Sequence, residues 1–355
     1  MGQEIGRKNK GNRPATLADV ARLAGVVPMT ASRAINNTGY VSKDVRAKVL
    51  KAARKLHYRP NVLARQLKGK SLRAVGVVLA DTANPFVSEL VAGIREVLEA
   101  DDYTVYMSAS GGSVEHELRA LHSFVDHRVD GILVTTWGTA EGDRALAGYA
   151  RQQIPIVSVG RTGVPGVDSV TVDHRNGAKL MMRHLLDLGH HRIGYIGSFS
   201  RGDRVPLRVQ GYKEALAEAG IPWREEYLVR EVRAAGSASE QDGYEGMMEL
   251  MRLKQRPTAV FARNDFAAIG ALHAAQSLGL RVPADVAVAG FDNVRMAAYT
   301  SPPLTTVAQP ILEQGRAGAR MLLERIDALV KDKPRRVFMD CRLVVRESTA
   351  AAPGR

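Results

Sequence analysis

Apolar residues near the start of the chain recur at helical spacing in three short segments. The first segment begins after Thr16, which forms a capping-box pattern with Asp19, and it ends at Gly25. The second begins at about Pro28, a residue suited to a first helical turn, and Ser42 can cap the third. The pattern therefore predicts three helices, with a tight glycine turn between the first two.

The pattern changes after Leu72, where short apolar runs alternate with longer helical periodicities. This alternation is typical of parallel strands whose sheet is covered by helices on both faces. The segment is long for one sheet, so we expect two α/β lobes. The predicted strands are Ala74–Ala80, Val105–Ser108, Gly131–Thr135, Ile156–Val159, Ile193–Gly197, Ala259–Ala262 and Val286–Gly290.

Charge is distributed unevenly between these two parts. Residues 1–73 contain 17 Lys or Arg and 3 Asp or Glu, a net charge of +14, whereas the whole chain of 355 residues carries +13. The remainder is therefore almost neutral. Because the basic segment also has helical periodicity, it indicates a folded module that binds a polyanion rather than a solubilising tail.

Composition excludes several classes of protein. Hydrophobic residues make up 45% of the chain and charged residues 25%, which is typical of a globular fold with a large core. No apolar stretch reaches the roughly 18 residues that a membrane helix needs, and the polar start is unlike a secretory signal. Cys341 is the single cysteine, so neither an intrachain disulfide nor a cysteine metal cluster can form. We expect a cytoplasmic protein that needs no metal and no cofactor.

The three N-terminal helices have the features of a helix-turn-helix unit. Ala21 is small where the first two helices would cross, and Gly25 suits a turn that needs positive φ. In such a unit the second helix enters the major groove of DNA, where Arg33 could bridge two acceptors on a guanine. The outward side chains of this helix are those of Met29, Thr30, Ser32 and Arg33.

Longer segments resemble the LacI-type bacterial transcription repressors. The N-terminal part contains TLADVARLAGVVPMTASRAIN and VSKDVRAKVLKAARKLHYRPNVLARQLKGK. In the expected order there follow NPFVSELVAGI, RVDGILV, HLLDLGHHRIGYIG, RVQGYKEAL, NDFAAIGAL, GLRVPADVAVAGFDN, PPLTTVAQP and LVVRES. The resemblance covers roughly residues 15–349. It implies a small all-α helix-turn-helix domain joined to a two-lobed, periplasmic-binding-protein-like α/β domain with parallel sheets.

The implied organisation has four parts. They are a flexible basic arm at 1–14, a helix-turn-helix domain at 15–59, a hinge helix with linker at 60–71, and a two-lobed domain for effector binding and dimerisation at 72–349. The first lobe is expected over about 72–171 and 303–335, and the second over about 172–302 and 336–349.

The resemblance also implies roles in DNA binding. Major-groove reading falls to Met29, Thr30 and Arg33, with Tyr40 and Tyr58 at the groove edge. Contacts to phosphates, or a role in register, fall to Thr16, Ser32, Asn36, Ser42 and Asn61. In the paired hinge helices, Ala64 would allow close approach and Leu67 would be the wedge in the minor groove. Val27 departs from the family, which often has a serine there, so the second helix loses a cap.

Polar residues follow many of the predicted strands, where parallel sheets bind ligands. By resemblance, the effector-binding residues are Asn84, Phe86, Arg161, Arg208, Asn264 and Asp292. Asn264 could instead cap a helix, and Asp292 could make a turn. The arginines at 161, 204 and 208 suit a carboxylate or phosphate, so a sugar, a sugar acid and a phosphorylated sugar all stay open as effectors.

The sequence thus predicts a homodimeric transcription regulator, a repressor of catabolic genes, that binds a near-palindromic double-stranded operator and responds to a small polar effector. Two alternatives are a two-lobed binding protein or enzyme without operator specificity and a nucleoid-architectural protein without a ligand. The basic N-terminal module argues against the first. No nucleophile–base pair with motif support and no metal-ligand spacing is present, so we expect no enzyme.

Overall fold

The computed structural model describes residues 15–58, 71–82, 84–135, 139–160, 163–197, 206–230, 239–328 and 333–352. The chain divides into two compact units, residues 1–72 and 73–355. The N-terminal arm and three predicted hinge residues (Asn61, Ala64 and Leu67) lie outside the described residues, as does Arg161.

The first unit contains three helices, α1 (Leu17–Ala24), α2 (Pro28–Asn36) and α3 (Lys43–Lys55). The predicted capping box is confirmed, since Thr16 accepts from the backbone N–H of Asp19 and the Asp19 carboxylate accepts from that of Thr16. Helix α1 ends at Gly25, whose φ of +70° is the left-handed conformation expected of the turn.

The core of this unit is built from small side chains. Ala21, Ala31 and Ala34 are buried together with Val20 and Val49, which lets the three short helices approach closely. Ser42 caps α3 by accepting from the N–H of Val45, as predicted. At α2 the residue before Pro28 is Val27, which makes no side-chain cap, so the absence of a cap at this helix start is confirmed.

The second unit is built on two six-stranded sheets, consistent with the predicted two-lobed α/β fold. Its strands are β1 (Ala74–Leu79), β2 (Thr104–Ala109), β3 (Gly131–Val134), β4 (Ile156–Val159), β5 (Asp168–Val172), β6 (Ile193–Gly197), β7 (Leu228–Arg230), β8 (Ala259–Ala262), β9 (Ala287–Asp292), β10 (Thr305–Ala308), β11 (Arg336–Met339) and β12 (Arg342–Val344). All seven predicted strands are among them. The other five are short or carry polar residues, and the apolar-run criterion missed them.

The first sheet has the strand order β11-β5-β4-β3-β1-β2, and the second has β12-β10-β9-β8-β6-β7. The pairs are parallel except that β12 runs antiparallel to β10. The helices of this unit are α4 (Pro85–Ala100), α5 (Val114–Asp126), α6 (Ala140–Arg151), α7 (His174–Asp187), α8 (Leu207–Glu218), α9 (Ser239–Leu250), α10 (Asp265–Ser277) and α11 (Ile311–Ile326). Buried apolar clusters flank both sheets.

Two strands lie in the lobe opposite to the one expected. The predicted first lobe included residues 303–335, but β10 in that segment pairs with β9 in the second sheet. The predicted second lobe included residues 336–349, but β11 pairs with β5 in the first sheet. These boundaries were wrong because a strand of four residues carries no local signal of its partner. Cys341, expected in a strand, lies between β11 and β12.

The chain therefore passes between the two sheets three times. The passages lie between β5 and α7, between β10 and α11, and between β11 and β12. Their connecting residues include Asp173, Gln309 and Cys341. Three short connections are suited to a change in lobe orientation because such a movement must bend them.

An ion cluster fastens the edge strand β11 to the first lobe. The Asp168 carboxylate is buried and accepts from Arg325 at 2.7 and 3.0 Å and from Arg335 at 2.9 and 3.1 Å, while the backbone N–H of Arg335 also donates to it at 2.9 Å. Arg325 lies near the end of α11 and Arg335 just before β11, so one carboxylate joins three separate segments.

We expect Asp168→Asn to lower the free energy of unfolding by about 2–3 kcal/mol, because two partly buried guanidiniums lose their carboxylate. Burial alone would raise the pKa of Asp168, but the arginine hydrogen bonds outweigh it and lower that pKa. The contribution is therefore present at neutral pH and is lost as the pH falls through the folded-state pKa. Urea unfolding at pH 7 and at decreasing pH measures both effects.

The matched control is Glu115→Gln, which removes an exposed pair with Arg119 at 2.7 Å. An exposed pair of this kind contributes about 0.5 kcal/mol or less. The role given to Asp168 would be contradicted if the two variants lost equal free energies of unfolding. It would also be contradicted if the difference in stability between Asp168→Asn and the wild type did not shrink as the pH is lowered.

Among the described residues, no helix combines the length and the apolar character required to cross a lipid bilayer.

Candidate functional site

Helix α2 presents two accessible side chains among those predicted to read bases in the major groove. Met29 is 66% exposed and Arg33 is exposed as well, and their i, i+4 spacing places them on one face of the helix. Thr30 and Ser32 are half-buried beside this face. Tyr40, beyond the end of α2, is 92% exposed, which is unusual for a large aromatic side chain without a partner molecule.

The remaining predicted DNA contacts are engaged in local structure. Thr16 donates its hydroxyl to Asp19 at 2.6 Å, and the Ser42 hydroxyl accepts from Val45. Asn36 donates to the carbonyl of Ser32 at 2.9 Å. Each of these groups is thereby held in a fixed orientation at a helix end, which is the arrangement that positions a helix on a phosphate backbone.

Tyr58 differs from Tyr40 because it packs against the small helical core. Burial raises the pKa of its phenol above the ordinary value. Its ring is therefore fixed by the unit itself, whereas Tyr40 projects into solvent.

In the second lobe, three predicted effector residues lie at the carboxyl edge of the sheet. Asp292 is the last residue of β9, Arg208 lies in the first turn of α8, and Asn264 caps α10 by accepting from Ala267 at 2.9 Å. The cap alternative for Asn264 is thus present in the structure. Arg208 approaches Asp292 with 3.5 Å between Nη2 and Oδ1.

Two residues that the sequence analysis missed complete this cluster. The guanidinium carbon of Arg208 lies 4.1 Å from the ring centre of Phe291, a cation–π contact. Gln309 donates its amide to Asp292 Oδ1 at 2.5 Å. Gln309 lies in the second passage between the sheets, so it connects Asp292 to the backbone that joins the lobes.

Several buried polar atoms of this cluster have no protein partner. Within the described part of the chain, Arg208 Nε and Gln309 Oε1 are buried and form no hydrogen bond. An unpaired buried donor or acceptor costs about 1–3 kcal/mol, and such groups are normally satisfied by water or a ligand. One donor and one acceptor therefore flank the Asp292 carboxylate in an arrangement suited to a polar molecule.

The cluster also contains a second carboxylate. Asp265 is fully buried, accepts from the backbone N–H of Val294 at 2.8 Å and accepts the hydroxyl of Thr306. Burial, together with the charge of Asp292, raises the pKa of Asp265. Burial also raises the pKa of Asp292, although Arg208 and the amide of Gln309 act in the opposite direction.

The backbone at Asp292 is unusual as well. Its φ is +117°, a conformation that residues other than glycine rarely adopt, and Asn293 follows at +60°. Residues held in such conformations concentrate at ligand sites, where the surrounding contacts enforce them. Asp292 adopts this conformation as the last residue of β9, and its carboxylate lies near Arg208 and accepts from Gln309.

The first-lobe candidates have different surroundings. Asn84 caps α4 by accepting from the N–H of Phe86 at 2.9 Å, and Phe86 packs partly against the first-lobe core. The contacts recorded for the described residues do not join either of them to the Arg208 and Asp292 cluster. The structure therefore brings together Arg208 and Asp292, places Asn264 at the same sheet edge, and leaves Asn84 and Phe86 in the other lobe.

His174 packs beside Phe291 of this cluster. It follows Asp173 at the first passage between the sheets, and its ring lies 5.9 Å from that of Phe291. Burial, with the nearby charge of Arg208, lowers the pKa of His174 well below its ordinary value, so the imidazole is neutral at pH 7.

Comparison with known proteins supports both halves of this description. Residues 16–61 match the profile of bacterial regulatory proteins of the lacI family, and residues 182–349 match that of a periplasmic binding protein-like domain. The HTH-type transcriptional repressor PurR of Yersinia pestis bv. Antiqua (strain Antiqua) is 36% identical over 345 residues, which cover 96% of this chain and 98% of PurR.

Solved structures agree over the same length. The Lac repressor dimer bound to operator and the anti-inducer ONPF is 30% identical, with a TM-score of 0.83 over 96% of this chain and 100% of that chain. The transcriptional regulator CelR in complex with cellobiose is 32% identical, with a TM-score of 0.70 over 94% of this chain and 99% of that chain. From its helix-turn-helix unit, its two-sheet body and these similarities, we conclude that the chain belongs to the lacI family of bacterial regulatory proteins.

Proposed function

We propose that this protein is a homodimeric repressor that binds a near-palindromic DNA operator. Its affinity for the operator changes when a small polar effector binds between the two lobes. The similarity to an operator-bound repressor along 96% of the chain carries this proposal. The exposed face of α2 and the net charge of +14 in residues 1–73 support the DNA-binding half. Such a protein acts by binding alone, in the cytoplasm where the DNA lies, and needs no catalytic group or cofactor.

The proposed organisation keeps the arm at 1–14, the helix-turn-helix domain at 15–59, the hinge at 60–71 and the two-lobed domain at 72–349. The lobe boundaries are revised so that β10 belongs to the second lobe and β11 to the first. In the hinge, Asn61 keeps the role in phosphate contact or register, and Ala64 and Leu67 keep the minor-groove roles, that the family resemblance implies.

The proposed effector site consists of Asn84, Phe86, Arg161, Arg208, Asn264 and Asp292, with Phe291 and Gln309 added. Asp292 would accept hydroxyl hydrogens, and the free Nε of Arg208 would donate to an oxygen. This combination suits a sugar or a sugar acid, and a similar regulator is known in complex with cellobiose.

Coupling between effector and operator would pass through the passages between the sheets. Gln309 contacts Asp292 and lies in the second passage, and His174 packs on Phe291 beside the first. A ligand that fixes these side chains would favour one lobe orientation over another. The operator affinity would then change if the two lobe orientations bind the operator with different affinities.

We expect Arg33→Ala to lower operator affinity by about 1–3 kcal/mol and to relax base preference at one symmetric position of each half-site. Arg33→Lys should weaken the same preference although it keeps the charge, because the lysine ammonium lacks the planar fork that matches two acceptors on guanine. Selection from a random DNA library by the full-length protein gives the operator, and titration of single-base variants gives the preference. A loss that is uniform over all sequences would make Arg33 a phosphate contact.

A dimer is expected because one helix-turn-helix unit covers too few base pairs to specify an operator. The edge strand β2 carries Tyr106 and Met107, which are more than half exposed, and β11 carries the exposed Phe338. Large apolar side chains on exposed strands indicate a surface that is covered by a partner. Sedimentation at micromolar concentration should therefore show a dimer, and the selected operator should be a near-palindrome. A monomer or a tetramer would contradict this expectation.

A further inference from the structure

A cavity of about 690 Å³ lies at the amino edge of the second sheet. Ile193, the first residue of β6, lines it together with Tyr212 and Leu216 from α8. Arg208 lies in the first turn of the same helix, eight residues before Leu216, a separation of about 12 Å along the axis. Since Asp292 lies at the carboxyl edge of the sheet, the cavity is separate from the proposed effector site.

The rim of this cavity is strongly basic. His191, Arg192, Arg224, Lys254 and Arg256 line it, and its thirteen lining residues include no aspartate or glutamate. Among the described residues, these basic side chains form one ion pair, an exposed one between Arg224 and Glu226 at 3.7 Å. Four permanent cations around one concave surface raise the local concentration of anions.

The floor of the cavity is apolar and rigid. Ile193, Tyr212, Leu216 and Tyr227 are buried and form a packed layer beneath the cavity, and Ile221 and Pro222 provide more accessible apolar surface. The Tyr212 hydroxyl donates to the Ile193 carbonyl at 2.7 Å, and the Tyr227 hydroxyl donates to the Gln255 carbonyl at 2.9 Å. Both hydroxyl hydrogens are thus engaged by backbone carbonyls, which fixes the two tyrosines in place.

The basic rim is held in place by hydrogen bonds across the opening. Arg192 Nε donates to the carbonyl of Arg256 at 3.0 Å, and Arg224 Nη1 donates to the side-chain oxygen of Gln255 at 2.5 Å. These bonds use Nε of Arg192 and Nη1 of Arg224. The positive charge also acts on the floor of the cavity. Burial raises the pKa of Tyr227, and the charges of Arg224 and Arg192 act in the opposite direction on that pKa.

We propose that this cavity is a second small-molecule site, which binds an organic anion that carries a carboxylate or phosphate on a small apolar body. The arginine and lysine side chains of the rim would bind the anionic oxygens, since guanidinium groups match both groups with paired hydrogen bonds. Ile221 and Pro222, which line the cavity and are more accessible than the buried tyrosines, would contact the apolar body. The volume of the cavity lies in the ordinary range of small-molecule sites.

The probe is phenyl phosphate, and benzoate is the corresponding probe with a carboxylate. Phenol and inorganic phosphate serve as controls, since phenol has the apolar body without the anionic group and inorganic phosphate has the anionic group without the apolar body. Trp223 reports on the cavity because it precedes Arg224 and its ring centre lies 5.8 Å from that of Tyr212. The chain has two tryptophans, so Trp137→Phe leaves Trp223 as the only one. We expect phenyl phosphate or benzoate to change Trp223 fluorescence and to bind about tenfold more tightly than either part alone.

The location of the site is tested in the same full-length protein with the double variant Lys254→Gln/Arg256→Gln. Calorimetry should show that this variant binds phenyl phosphate at least about tenfold more weakly, a loss of about 1.4 kcal/mol. The matched control is Arg252→Gln, an exposed residue of the same segment outside the cavity. Arg208→Gln should also leave this binding unchanged. The proposal is overturned if phenol binds as tightly as phenyl phosphate, if Arg252→Gln causes an equal loss, or if binding depends on Arg208 and not on Lys254 and Arg256.

Discussion

A chain that begins at Leu72 is expected to bind the selected operator about a thousandfold more weakly than the intact protein, or not at all. The reason is electrostatic as well as geometric. Residues 1–73 carry a net charge of +14 and include α2, whereas the rest of the chain is almost neutral. Neutralisation of DNA phosphates releases bound counterions, and this release dominates affinity in most DNA-binding proteins.

Fluorescence anisotropy at several salt concentrations measures this difference. Between 50 and 200 mM salt the affinity of the intact protein should fall by about a thousandfold if six or more phosphates are contacted, and the shortened chain should show no such dependence. The control is the shortened chain itself, which should still melt cooperatively and bind effector because residues 73–355 form their own compact unit. Operator binding that survives the deletion would refute the assignment of the N-terminal unit.

Asp292→Ala is expected to lower effector affinity by about a hundredfold or more, while operator binding without effector persists. Asp292 is only 5% exposed and lies between Arg208 and Gln309, so its loss leaves ligand hydroxyls and a buried guanidinium without a charged partner. A panel of monosaccharides, disaccharides and sugar acids, screened for release or strengthening of the operator complex, supplies the effector. Calorimetry then compares its binding to the wild type and the variant.

Asp285→Ala is the matched control, since this aspartate lies in the same lobe but forms an exposed pair with Arg281 at 2.7 Å. It should change neither property. Leu67→Ala should have the opposite effect to Asp292→Ala, with weaker operator binding and unchanged effector affinity in the absence of DNA. An intact effector response in Asp292→Ala, or effector binding that is lost in Leu67→Ala, would contradict the separation of operator reading from effector sensing.

The N-terminal unit shows how much local sequence can predict. Thr16 with Asp19, Gly25 and Ser42 were predicted to bound the helices, and all of them do so. Each of these features depends on atoms within about four residues along the chain, so the spacing of the residues is sufficient to identify it. The missing cap at Val27 was predicted for the same reason.

The two lobes show the opposite case. The strands themselves were visible as apolar runs, but the sheet that receives β10 and β11 was not. Thr305 pairs with Ala289, and Arg336 pairs with Ser169, over separations that local patterns do not encode. Partner choice for a short strand depends on how the helices around it pack, and α11 belongs to the first lobe although it directly follows a strand of the second.

The cluster around Arg208 and Asp292 depends on both kinds of information. Family resemblance predicted Arg208 and Asp292 as effector-binding residues by their flanking motifs, and segregation of charge predicted the DNA-binding unit, because both depend on residue identity along the chain. Tertiary structure alone brought Phe291 beneath the Arg208 guanidinium and Gln309 onto the Asp292 carboxylate. It also left Arg208 Nε and Gln309 Oε1 unpaired, and it raised the pKa of Asp292 by burial. These properties depend on which atoms surround a group and exclude water from it, and no spacing along the chain specifies that.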